Sequence, residues 1–131
     1  MIIVTGAAGF IGSCIVSRLN QAGLTDIIAV DILRDNDKWK NLRNLRFYDY
    51  LDRSQLLSYL RNLDDVEAII HMGACSSTTE KDAHYLMENN YRYSLKLLEY
   101  AMLKDIRFIY ASSAATYGAG ERGYDDADAM I

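Results

Sequence analysis

MIIVTGAAGFIG, Met1 to Gly12, is the stretch that decides the fold. Ile2, Ile3 and Val4 are apolar and β-branched, as a strand buried inside a parallel sheet requires. Thr5 and Gly6 end that run. Gly6, Gly9 and Gly12 come next at a spacing of three, and Ile11, Ile15, Val16 and Leu19 then recur with a helical period. The chain therefore opens strand, glycine turn, helix. In that order the helix N-terminus presents amide groups to an anion such as a phosphate. The glycines serve separate needs: a tight bend, close approach of a pyrophosphate to the backbone, and close packing of helix on strand. Their position between a strand and a helix makes the triplet informative.

The remaining sequence sets bounds. A chain of 131 residues suits one domain with one core. Half of it is hydrophobic and 24% charged, with a net charge of −4 and no basic run, so nucleic acid is not an expected partner. No apolar run reaches the roughly 20 residues of a membrane helix, and no signal peptide is read at the N-terminus. Cys14 and Cys75 do not form a disulfide framework, and Cys14 is expected at or near the core. His71 and His84 lack partners at metal-ligand spacing, so no metal is expected. The expected compartment is a reducing cytoplasm.

Taken in order, the pattern predicts a helix over 10–22 stopped by Gly23, then a strand at 27–30 ending in Asp31. Residues 32–44 read as a polar loop with room for one helical turn. A short third strand is expected at 45–48, a helix capped by Asp52 or Ser54 running to Leu63, and a fourth strand over 66–71. The small, polar MGACSSTT (72–79) reads as a loop. A long helix is expected over 80–104, with Leu86, Tyr93, Leu97, Leu98 and Ala101 inward, then a fifth strand over 106–111. The tail, 119–131, is acidic and has no apolar period.

Five strands alternating with helices predict an α/β, doubly wound parallel sheet in three layers, in the order 3-2-1-4-5. Ligands of such sheets bind beyond the carboxyl ends of the strands. The segments there are Gly6–Gly12, Asp31, Met72–Ser76, and Ser112-Ser113. Asp31 stands where a carboxylate accepts hydrogen bonds from a ribose. Arg34, Lys38 and Lys40 lie just after it and could neutralise a 2′-phosphate. Small residues at 72–76 would let a cofactor come close, with Cys75 a loop wall rather than a nucleophile. Asn89 and Asn90 sit mid-helix, where Asn is a poor helix former. For Asn89, lining a cofactor and clamping a strand are both open readings.

TGAAGFIG (Thr5–Gly12), Asp31, the loop 72–76 and YASSAATYG (Tyr110–Gly118) resemble the extended short-chain dehydrogenase/reductases that act on nucleotide sugars. HMGACSSTTE (His71–Glu80) and ENNYRYS (Glu88–Ser94) narrow the resemblance to epimerases of nucleotide-linked heptoses, and it covers nearly the whole chain. It implies a Rossmann-type domain holding NADP, with NAD the alternative. It implies an ADP-heptose substrate, oxidised and re-reduced at C6″ for lipopolysaccharide core synthesis, and a homo-oligomer at full length. By the resemblance, Phe10 and Ile11 lie at the pyrophosphate with Gly6, Gly9 and Gly12. Asp31 and Ile32 flank the adenosine ribose, Lys38 meets the 2′-phosphate, and Arg53 lies near the cofactor. Met72, Gly73, Ala74, Cys75 and Ser76 wall the nicotinamide side, supported by Asn89. Ser113 matches the serine that hydrogen-bonds the reacting oxygen.

The resemblance has departures. Ile32 replaces a residue that is often polar, and Met72 one that is often acidic. The family's Tyr-x-x-x-Lys falls past Ile131, so the chain is expected to be the N-terminal portion of a longer enzyme, inactive alone. Tyr100–Lys104 also spells YxxxK, but before Ser113 and on the helix entering strand five, so it is read as coincidence. Two alternatives remain: a non-catalytic dinucleotide sensor, and an epimerase or dehydratase of another nucleotide sugar.

Overall fold

A computed structural model of the chain describes residues 1–121, 123 and 124. Most of the acidic tail, with the expectation of an aperiodic segment there, lies outside the described residues. The strands are β1 (Ile2–Thr5), β2 (Ile27–Asp31), β3 (Asp49–Asp52), β4 (Ala68–His71) and β5 (Arg107–Tyr110). They form one parallel sheet in the order β3-β2-β1-β4-β5, as the sequence predicts. β1 is central, pairing Ile2–Thr5 with Ile27–Val30 on one side and with Ala68–His71 on the other.

The period of two sends alternate side chains to opposite faces. Ile3, Ile28, Val30 and Ile69 pack against Leu56 and Leu60 of α2 (Arg53–Leu60) and Leu97 and Ala101 of α4 (Tyr93–Leu103). Ile2, Val4, Ile27 and Ala29 pack against Val16 of α1 (Phe10–Gln21) and Leu42 of a 3-10 turn, Asp37–Leu42. Ile3, Ile28, Leu56, Ile69 and Leu97 are fully buried, each worth about 1.5–3 kcal/mol. Among the described residues no helix is long and apolar enough to cross a membrane.

The structure corrects several boundaries. The third strand is Asp49–Asp52, not 45–48. Leu45 and Phe47 instead pack on the α1 side of the core. The backbone of Arg46 is held by the Asn20 amide, which donates to its carbonyl and accepts from its N–H, both at 2.7 Å. A side-chain amide thus takes the place of a strand neighbour. α2 ends at Leu60, β4 starts at Ala68, and β5 spans only Arg107–Tyr110. Cys14 is exposed rather than near the core, because Gly12 and Val16 form the inward stripe of α1.

The long helix is interrupted. It runs as α3 (Ala83–Leu86), a π turn (Met87–Arg92) and α4, with Asp82 capping its start by accepting the Tyr85 N–H. The Tyr93 N–H reaches back five residues to the Glu88 carbonyl. The extra residue rotates the next turns, so Asn89, Tyr93, Leu97 and Ala101 are buried while Leu98, expected inward, is 38% exposed.

Candidate active site

A groove of about 890 Å³ runs along the carboxyl ends of the strands. Gly6, Gly9, Phe10, Ile11, Gly12, Asp31, Ile32, Lys38, Arg53, Met72, Gly73, Ala74, Cys75, Ser76, Asn89 and Ser113 all line it. Every candidate from the sequence except Lys40, whose ammonium pairs with Asp37 at 2.8 Å instead, therefore meets at one place.

The glycine turn forms its floor. A Cβ on Gly12 would lie 2.0 Å from the Gly6 carbonyl oxygen, so the start of α1 packs on the turn only without a side chain. Gly6 has φ +66° and lies against the Gly73 backbone, where a Cβ would come within 2.9 Å of nitrogen. Gly9 precedes α1 without a side-chain cap, and no acid occupies the first helical turn. The amides of Phe10, Ile11 and Gly12 have no carbonyl a turn earlier within the helix. Phe10 is 83% and Ile11 62% exposed, so Ile11 belongs to the groove and not, as its period suggested, to the core.

At the end of β2, Asp31 is buried and heavily used. Its Oδ2 accepts the Ala8 N–H at 2.8 Å, and its Oδ1 accepts the Ile32 N–H at 2.7 Å and the Lys38 ammonium at 2.6 Å. Three of roughly four lone-pair sites are filled, leaving one for a further donor. The Asn36 side chain holds the Lys38 N–H at 2.9 Å, and Asn41 donates to the Ala8 carbonyl at 2.8 Å. The segment after β2 and the glycine turn are thus fastened together.

Arg53, just past β3, lays its guanidinium 4.2 Å from the centre of the Tyr93 ring. Tyr93 in turn donates its hydroxyl to the Arg53 carbonyl at 3.3 Å, and burial pushes that phenol up to about 12. After β4, Asn90 grips Cys75 on both sides: Cys75 N–H donates to Asn90 Oδ1 at 2.8 Å, and Asn90 Nδ2 donates to the Cys75 carbonyl at 2.9 Å. Asn89 is buried and donates to Asn90 Oδ1 at 2.7 Å. Asn90, the partner that sequence reasoning passed over, is the clamp. The Asn-Asn pair inside a helix was its signal.

After β5, Ser113 begins the 3-10 turn Ala114–Tyr117, its hydroxyl accepting the Ala115 N–H at 3.2 Å. That bond leaves the hydroxyl proton uncommitted. Tyr100 and Lys104 lie elsewhere: the phenol donates to the Leu63 carbonyl at 3.1 Å and the ammonium pairs with Asp64 at 3.2 Å. Leu63 and Asp64 precede β4, so this YxxxK lies toward the opposite end of the sheet from the groove. Arg34, offered by the sequence for the 2′-phosphate, lines the groove too; His71, Asn36, Tyr85, Tyr93 and Tyr110 also line it, though their sequence pattern does not mark them as part of it.

Sheet order, glycine turn and strand-end carboxylate define a Rossmann-type domain. The family model described as the NAD dependent epimerase/dehydratase family matches residues 2–130, and the chain belongs to that family. It is 54% identical over 129 residues to the ADP-L-glycero-D-manno-heptose-6-epimerase of Fusobacterium nucleatum, covering 96% of this chain and 39% of that one. It is also 54% identical over 134 residues to the enzyme of that name from Nitratidesulfovibrio vulgaris, covering 100% of this chain and 42% of the relative. The chain thus spans about two fifths of the length of the curated relatives it matches. Among solved structures, the Helicobacter pylori ADP-L-glycero-D-manno-heptose-6-epimerase superposes with a TM-score of 0.83 at 29% identity, over 99% of this chain and 44% of that one. UDP-glucuronic acid 4-epimerase from Bacillus cereus in complex with NAD gives 0.68 at 28%, over 89% and 41%.

Proposed function

We propose that this chain is the cofactor-binding part of an NADP-dependent epimerase that interconverts ADP-linked D-glycero- and L-glycero-manno-heptose at C6″. The observation that carries the cofactor choice is the Lys38–Asp31 pair at 2.6 Å. A bare carboxylate at the end of β2 repels a 2′-phosphate. Here the ammonium offsets that charge and has further protons to donate. The single open lone-pair site on Asp31 suits one ribose hydroxyl rather than two. The residues fit a dinucleotide at the other end as well: the glycine turn has no room for Cβ atoms, and the α1 N-terminus carries no competing acid.

NADP, when bound, accepts a hydride from the sugar and returns it, so net redox is zero. Phe10, Ile11 and Gly12 would meet the pyrophosphate, Asp31, Ile32 and Lys38 the adenosine ribose and its phosphate. Arg53 would approach from β3. Met72–Ser76, with Asn89 behind them, would wall the reacting end, and Ser113 would donate to the reacting oxygen. The Tyr-x-x-x-Lys acid/base pair and the substrate-binding region would lie in the part of the relatives that this chain does not span. The 54% identity to two curated heptose epimerases supports heptose as the substrate. The parent protein would work in the cytoplasm as a homo-oligomer.

Two measurements test this reading. Purified protein should carry nicotinamide cofactor, seen by absorbance and released as NADP on denaturation. Incubated with ADP-heptose, the 131-residue chain should show no epimerisation. Robust turnover would contradict the division of labour, and a protein that neither carries nor takes up cofactor would contradict the binding role.

A further inference from the structure

His71 closes β4 and is 1% exposed, yet both ring nitrogens have partners. Nδ1 lies 2.5 Å from the Thr5 hydroxyl and Nε2 lies 2.8 Å from the Ser94 hydroxyl. The direction of each bond is set by its neighbours. Ser94 gives its one proton to the Asn90 carbonyl at 2.7 Å, which can only accept. Ser94 must therefore accept from His71 Nε2–H. At the other end, the Gly73 N–H donates to Thr5 Oγ1 at 3.1 Å, so the Thr5 proton is available to point at His71 Nδ1. The chain of donors is Gly73 N–H to Thr5, Thr5 to His71, His71 to Ser94, Ser94 to the Asn90 carbonyl. It assigns the neutral imidazole with its proton on Nε2.

This chain joins three segments of the groove. Thr5 leads into the glycine turn, Gly73 lies in the loop 72–76, and Asn90 lies in the π turn and clamps Cys75 of that loop. The spacing between the first two is tight, since a Cβ on Gly73 would come within 3.0 Å of Thr5 Oγ1. Tyr110 stacks on the His71 ring at 5.8 Å, and Tyr93 and Phe108 lie 5.9 and 6.1 Å away. The ring is thus enclosed, with a hydroxyl at each of its nitrogens. Burial holds the imidazole down at about 4, in keeping with a neutral ring.

We propose that Thr5, His71 and Ser94 form a positioning relay that sets the 72–76 loop against the glycine turn, and so governs the groove's grip on the reacting end of a dinucleotide. The inference rests on the cofactor reading above. His71 acts through the loop and is not a catalytic residue. Of the dinucleotide, the relay concerns the nicotinamide half alone. The adenosine half, at Asp31 and Lys38, is held by separate bonds.

The test uses the 131-residue chain labelled with ¹⁵N-histidine, with His84→Gln to assign the two signals. Long-range ¹H–¹⁵N correlation at neutral pH should show His71 as the Nε2–H tautomer. NADPH and 2′,5′-ADP, which lacks the nicotinamide half, are then titrated into Thr5→Ser, Thr5→Val and Ser94→Ala. Thr5→Ser should retain the tautomer and both affinities. Thr5→Val and Ser94→Ala should lose the pure tautomer and bind NADPH about tenfold more weakly, with 2′,5′-ADP unchanged. A general loss of structure would weaken both probes together, and that result overturns the relay. So does an Nδ1–H or cationic His71, or unchanged NADPH binding in folded Thr5→Val. If the wild-type chain binds neither probe, the cofactor reading fails. The relay is then decided by the tautomer and by whether Thr5→Val moves the backbone amide signals of residues 72–76.

Discussion

Asp31 and Lys38 show how much a single pair decides. The carboxylate is a strut, taking the Ala8 and Ile32 amides as well as the ammonium, and its charge is locally offset. Lys38→Ala should therefore weaken NADP by about 1.5–3 kcal/mol, the scale of one charge-assisted contact, and weaken NAD less. Titrating both dinucleotides into the variant checks this; equal losses would remove the phosphate role. Gly12→Ala makes a harsher demand, because its Cβ would overlap the Gly6 carbonyl oxygen at 2.0 Å. It should lower the melting temperature and abolish dinucleotide binding, whereas Gly23→Ala, with open space around it, should cost about 1 kcal/mol from its positive φ alone. These glycines and Asp31 were legible in the sequence because their spacing is local. The Lys38–Asp31 bond was not, since a loop of mixed charges does not say which lysine turns back.

At the scale of elements, the π turn matters most. One extra residue brings Asn89 and Asn90 to the loop after β4 and moves Leu98 outward. Asn90→Ala leaves the Cys75 N–H and carbonyl without their partner and should cost about 1–3 kcal/mol in urea unfolding. The sequence announced a helix there and its poor formers, but a 3.6-residue period carries no record of one inserted residue. β3 was misplaced for a related reason. Leu45 and Phe47 have the composition of a strand, but an Asn20 amide, distant in sequence, holds the backbone of Arg46 between them instead. The start of α2 was readable, and its cap is complete: Asp52 accepts the Ser54 N–H at 2.9 Å while Gln55 accepts the Asp52 N–H at 3.1 Å. Asp52→Ala should cost about 1 kcal/mol. The Ser54 hydroxyl and amide hold the Asp52 carboxyl below its ordinary value, so the cap contributes at neutral pH and is lost as pH falls through that lowered value.

Across the whole molecule, the sheet order was readable from strand alternation, while the covering of its faces was not. Ile109 reads as a core strand residue, yet is 47% exposed, because the α1-side core gathers around β1, β2 and β4. His71 ties the global fold to pH. Its imidazole is held at about 4, against 6.5 in the unfolded chain, so the unfolded state gains a proton first as pH falls. Stability should be flat above about pH 6.5 and decline below it, by on the order of 3 kcal/mol near pH 4 from this group alone. Urea unfolding at a series of pH values checks the slope, and a flat profile through pH 5.5 would contradict a buried neutral histidine. The fold, the groove and the pair at Asp31 all converge on one ligand class. The most direct measurement is a fluorescence titration of the 131-residue chain with NADPH and, separately, NADH. The account predicts saturable binding of both with NADPH tighter by about tenfold. Equal affinities would contradict the 2′-phosphate assignment, and absence of binding to either would contradict the dinucleotide site itself.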